Sequence, residues 1–141
     1  MVESKASKTD TVLETTLSIG RAENSTVGTN SVVFGNNNEA SGNYSYAQGN
    51  GNVASGEAAT AQGIGTIAQT DGMSAAGKFN VETSGQAVVI GNGSSDLNRS
   101  NAYALDWNGN GYFNGDIYIN CNDDSTGGTK LTSIPSGGTT G

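Results

Sequence analysis

The sequence predicts an all-β protein: a parallel β-solenoid wound in coils of 14 residues, followed by a β-hairpin segment. Three observations predict it. Glycine recurs at seven-residue steps, at 28, 35, 42, 49, 56, 63, 77 and 91, with Thr70 and Ser84 in the two gaps. A second column stands two positions earlier and is small and apolar: Val33, Ala40, Ala47, Ala54, Ala61, Ala68, Ala75 and Val89, broken by Thr26 and Glu82. Odd and even copies of this [A/V]-x-G unit differ, so the true repeat is 14 residues. A seven-residue period also fits a coiled coil, but heptads need large apolar residues at two positions. Glycine throughout the heptads would cost about 1 kcal/mol each in a helix.

Taken in order, residues 1–10 are expected to be mobile and 11–91 to form the solenoid. The strand-like run TVLETTLSI (11–19) opens the first coil. Within a coil, strand alternation puts Ser45, Ala47 and Gly49 on one face and Tyr44, Tyr46 and Gln48 on the other. The small face recurs as Ser31-Val33-Gly35, Ala59-Ala61-Gly63, Met73-Ala75-Gly77 and Ala87-Val89-Gly91. The lumen should therefore be narrow and lined by Ala, Ser and Gly. Glycine, free to take positive φ, would let the chain turn twice per coil. Coils would stack at the strand spacing of ~4.8 Å.

The opposite face is apolar at its two ends, Val32 and Phe34 at one and Val88 and Ile90 at the other. Between them lie Tyr46, Gln48, Thr60, Gln62, Ser74 and Ala76. Ordering costs about 1.5 kcal/mol per residue, whereas each buried methyl contributes only about 0.8 kcal/mol. So thin a column gains most from lateral packing against identical copies. Val32, Phe34, Val88 and Ile90 are the candidate interface.

Residues 92–100 (NGSSDLNRS from 92) read as a linker of turn formers. In 101–120, Tyr103, Leu105 and Trp107 alternate, NGNG at 108–111 signals a turn, and Phe113, Ile117 and Ile119 sit on the return run. Residues 121–141 form a Gly/Ser/Thr-rich extended tail, with TKLTSI (129–134) as a short strand. The absence of a closing element there is expected of a piece of something longer.

Composition excludes whole classes of function. The net charge is −7 with six Lys and Arg, which disfavours nucleic acid. No run is apolar enough for a membrane span, and the N-terminus lacks the apolar core of a secretory signal. A lone Cys121 excludes an internal disulfide and a multi-cysteine metal site. There is no histidine, which removes imidazole bases and His-held zinc. Asp106, Asp116, Asp123 and Asp124 form the one acid-rich region, but no motif places a pair for acid–base work. Asp123-Asp124 is a weak cation candidate that reads equally as a solvated turn. No enzyme activity and no cofactor is expected. An ice-binding ladder would need a threonine column, and calcium nonapeptides would need GGxGxD; neither is present.

What remains is a surface that binds. Tyr44, Tyr46, Trp107 and Tyr112 are the candidate ligand-binding residues, because aromatics stack on sugars and dominate contacts. The alternative for Tyr44 and Tyr46 is packing between coils or protomers. For Trp107 and Tyr112 it is the hairpin core or the assembly core.

The run GTNSVVFGNNNEASGNYSYAQGNGNVASGEAATAQG (28–63) resembles the head repeat of YadA-like trimeric adhesins, whose units read G-x-x-S-x-A-x-G-x-x-x-x-A-S. Gly28, Gly42, Gly56, Ser31, Ser45, Ala40-Ser41 and Ala54-Ser55 fall on that pattern; Thr70, Met73 and the register at 82–85 depart from it. Across 28–91 the resemblance implies a left-handed parallel β-roll and a homotrimer, with the apolar strand face on the three-fold axis. Residues 94–119 resemble a segment of tail fibre and tail-tip proteins of phages and prophages of Gram-positive bacteria. Together these imply a non-enzymatic fibre segment, in a virion tail fibre or on an extracellular surface, that attaches to a cell-surface glycan or protein receptor. The alternatives are a purely structural connector, or the head of a bacterial surface adhesin.

Overall fold

The computed structural model describes residues 16–132. The expected mobile residues 1–10, the first part of the run 11–19 and the tail from 133 on lie outside the described residues. The described chain is all-β, with no helix. Its strands are β1 (Leu17–Arg21), β2 (Val32–Ala40), β3 (Tyr46–Asn50), β4 (Val53–Ala54), β5 (Thr60–Ile64) and β6 (Ile67–Ala68). They are followed by β7 (Ser74–Lys78), β8 (Gln86–Asn92), β9 (Asn101–Asp106), β10 (Gly111–Phe113), β11 (Tyr118–Ile119) and β12 (Thr129–Lys130).

These strands wind a β-solenoid of about five turns. One sheet stacks β1, β2, β3, β5, β7 and β8 in parallel; the second stacks the end of β2 on β4 and β6. The 14-residue period is the pairing register: Val33, Ala47, Ala61, Ala75 and Val89 align, as do Ala40, Ala54 and Ala68. All of these are buried. The first step is one residue longer, Leu17 facing Val32, and the register slips again before Arg21.

The glycine columns have two causes, where the sequence reading gave one. Gly35, Gly49, Gly63 and Gly77 do take positive φ, from 91° to 135°. The column of Gly28, Gly42 and Gly56 does not. There a Cβ on Gly42 would stand 1.9 Å from the carbonyl oxygen of Gly56, so close stacking of backbone on backbone, not turning, demands glycine. The left-handed turn positions instead hold Asn30, Tyr44, Ala58 and Gly72 in one column and Asn37, Gly51, Gly65 and Phe79 in another.

The lumen is also not lined by small residues alone. Asn38, Asn52, Thr66 and Asn80 are fully buried at 14-residue steps. Asn38 Oδ1 accepts from Asn52 N and Nδ2, both at 2.9 Å; Asn52 Oδ1 accepts from Thr66 N at 2.9 Å and Oγ1 at 2.8 Å. Asn52 Nδ2 further donates to the carbonyls of Gln48 and Gly63. This ladder satisfies backbone groups at the corner between the two sheets, where strand pairing fails. Met73, out of pattern in sequence, is absorbed with no exposure.

The second sheet ends at β6, and the irregular stretch around Glu82 is the point where its next strand is missing. The first sheet continues. The chain reverses through residues 93–100, so β9 pairs antiparallel with β8 and β10 antiparallel with β9. Arg99 anchors this reversal, donating to the carbonyls of Gly65 (2.8 Å) and Asn80 (3.1 Å) over the ring of Phe79. The return run is shorter than the sequence reading placed it. Strand β10 stops at Phe113, while Tyr118 and Ile119 pair with Lys130 and Thr129.

Candidate functional site

Strand alternation places Val32, Phe34, Val88 and Ile90 together on the outer face of the first sheet, opposite the buried Val33 and Val89. Val32 and Val88 are half-buried, whereas Phe34 is 49% and Ile90 39% exposed. The reversal extends this face in a way the sequence reading missed. Leu105 pairs with Val88, Tyr103 with Ile90 and Phe113 with Tyr103, their two rings 4.9 Å apart. At the other end Ile19 pairs with Phe34. Three of these four additions lie in the alternating runs Leu17–Ile19 and Tyr103–Leu105, but only the antiparallel docking of β9 shows which face Tyr103 and Leu105 join.

The candidate ligand-binding aromatics separate into three places. Tyr46 lies on the outer face, half-buried, and its hydroxyl donates to Gln48 Oε1 at 3.0 Å. Tyr44 is on the turn edge, exposed, at φ 60°. Trp107 reaches the same edge: its six-membered ring lies 3.3 Å from where a Cβ on Gly72 would stand, and its backbone N–H donates to the carbonyl of Gly85. Gly72 holds the turn position two coils beyond Tyr44, so the two sites are roughly 10 Å apart at ~4.8 Å per coil.

Tyr112 belongs to the β9–β10 turn, which Asp106 organises. Asp106 Oδ1 accepts from the N–H of Asn108 and Asn110, and Oδ2 from Asn110 Nδ2 and the Tyr112 hydroxyl. These donors, the Asn110 amides foremost, hold its carboxyl below the ordinary value, and the same bond raises the Tyr112 phenol. Two further acids of this region are engaged: Asp116 pairs with Lys130 at 3.0 Å, and Asp124 caps its own turn through Thr126. Among the described residues, no three of Cys, Asp and Glu converge to hold a metal ion.

Compared with family models, curated proteins and solved structures, the chain matches none of them.

Proposed function

We propose that the chain is a segment of a trimeric fibre, of the phage or prophage tail-fibre kind, wound left-handed and attaching to host-cell glycans or surface receptors. The observation that carries this reading is the outer face of the first sheet. A solenoid this thin leaves Ile19, Phe34, Ile90 and Phe113 each at least 39% exposed along one face. Exposed apolar residues grouped at the two ends of one sheet face, with Gln48, Gln62 and Ala76 in the row between them, mark an interface. A three-fold assembly buries the face three times over and leaves the turn edge, with Tyr44 and Trp107, outward and repeated around the rod. Repetition lets weak contacts add, which is how a rigid fibre holds a cell surface without chemistry.

Multi-angle light scattering tests the assembly directly. The expected mass is three times the 14.2 kDa of one chain; a stable 14.2 kDa species at micromolar concentration overturns it. A glycan array probed with the purified chain tests the attachment. Binding is expected to fall when Tyr44 or Trp107 becomes alanine.

A further inference from the structure

We propose that the β11–β12 hairpin is a docking element for further copies of this chain, its apolar side packing on the same side of its neighbours. The inference rests on the three-fold reading above for the number of copies, and it adds a contact surface that the solenoid does not contain. Strand β11 faces β12 in the register Tyr118 to Lys130 and Ile119 to Thr129, and the Leu131 N–H donates to the Ile117 carbonyl at 2.7 Å. Cross-strand partners share a face and neighbours along a strand alternate, so Ile117, Ile119, Thr129 and Leu131 lie on one side. Tyr118 and Lys130 lie on the other, where Lys130 reaches Asp116 at 3.0 Å. One side of the hairpin is therefore aliphatic and the other polar. Neither strand packs on any other strand of the chain, and Ile117, Ile119 and Leu131 are 38%, 47% and 37% exposed. A two-stranded hairpin by itself is marginally stable at best in water, so its aliphatic side needs a cover.

This chain cannot supply that cover from its own remaining residues. Residues 133–141 (SIPSGGTTG) bring Ile134 beside Pro135 and otherwise only Ser, Gly and Thr, too little for three aliphatic side chains. On the N-terminal side, Val12 and Leu13 stand within four residues of Thr16, at the coil that begins the stack. They reach at most about 14 Å from it, whereas the strands from β1 to β10 stack over roughly 34 Å at ~4.8 Å per step. The cover comes from another molecule, and a hairpin that folds only when covered needs a partner present wherever the chain is made. A second copy is that partner. Only residues 114–116 separate Ile117 from Phe113 on the outer face, so copies joined along that face bring their hairpins together as well. Symmetry then sets identical aliphatic sides against one another, while Tyr118 and the Asp116–Lys130 pair stay in water.

The test follows the full chain over a dilution series, by scattering mass and by amide hydrogen exchange. Protection of the Leu131 amide is expected to fall as the assembly dissociates, whereas the Val53 amide, bonded to the Thr66 carbonyl inside the solenoid, stays protected throughout. The double variant Ile117→Thr, Ile119→Thr keeps β-branched side chains on the strand and removes the aliphatic side. It is expected to raise the concentration needed for assembly about 10-fold or more and to expose the Leu131 amide, with the Val53 amide unchanged. Tyr118→Thr, on the polar side, should alter neither reading. Leu131 protection that ignores concentration, or a double variant that assembles at the wild-type concentration, overturns the docking. A three-chain wild-type mass that the double variant leaves unchanged removes the docking alone and keeps the three-fold reading. A two-chain mass that the double variant abolishes upholds the docking and removes the three-fold reading. A single chain of 14.2 kDa at every concentration removes both.

Discussion

Ala58 is held at φ 55°, a left-handed conformation that its equivalent one coil later, Gly72, adopts without penalty. Ala58→Gly is therefore expected to stabilise the chain by about 0.5–1 kcal/mol, read as a higher urea midpoint with an unchanged slope. The reverse exchange at Gly42 is a different matter. A methyl there meets the Gly56 carbonyl at 1.9 Å, so Gly42→Ala must push two coils apart. The expected cost is about 3 kcal/mol or more, with loss of strand signal on heating at a lower temperature. Both glycine columns were visible in the sequence, but their causes were not: spacing shows that a side chain is unwelcome, and only backbone geometry says whether φ or a neighbour forbids it. The asparagine ladder is also in plain view in the sequence, at 38, 52 and 80, with Thr66 in the remaining step. A sequence does not mark such residues as core, because buried polar residues count against a core until their partners are known. Asn52→Ala strips Thr66 of its acceptor and the carbonyls of Gln48 and Gly63 of a donor. Its expected cost is about 3 kcal/mol or more, measured by the same denaturation.

At the scale of elements, the strand stack was legible because its period is long and regular, and the element ends were not. An arginine stands at each end of the stack. Arg21 donates to the carbonyl of Ala40 at 3.2 Å and to Ser18 and Ser31, at the coil where no strand stacks on the far edge of β1 among the described residues. Arg99 does the same for Gly65 and Asn80, where the second sheet stops. Nothing in a run such as NGSSDLNRS distinguishes such a plug from a solvated charge, because its acceptors are backbone carbonyls up to 34 residues away. Arg99→Ala is expected to cost about 2–3 kcal/mol, since it abandons two part-buried carbonyls and the stack on Phe79. The β9–β10 turn offers a pH test with a built-in reporter. Asp106 has a lowered carboxyl pKa in the folded turn, so its contribution is fully present above the ordinary aspartate value of ~3.9 and is lost as pH falls through the lower folded value. Fluorescence of Trp107, the one tryptophan, is expected to change with a midpoint below ~3.9 and to lose that step in Asp106→Asn. A midpoint at or above that value would mean the four donors are not engaged in solution.

For the whole molecule, the decisive question is what covers the outer face, and sequence alternation alone located its two apolar ends without the extension of one of them by β9 and β10. Ile90 lies on β8, between Ala76 of β7 and Tyr103 of β9, and Tyr103 is in turn stacked on Phe113. In a single chain Ile90 is already 39% exposed, so Ile90→Lys replaces a partly hydrated side chain whose stem can follow the same surface while the ammonium reaches water. The fold should lose less than about 1 kcal/mol. In a closed three-fold assembly the same substitution acts three times at one spot, because symmetry brings identical residues together. Three ammonium groups would then be desolvated with no counter-charge, since Tyr103, Phe113 and Val88 surround the position. The expected result is a chain with an unchanged strand signature in circular dichroism and a scattering mass reduced from three chains to one. Tyr44→Ser, on the turn edge, serves as the comparison and should leave the mass untouched. An Ile90→Lys protein that still scatters as three chains would place the contact on some other surface, and with it the surface the fibre leaves free for its host.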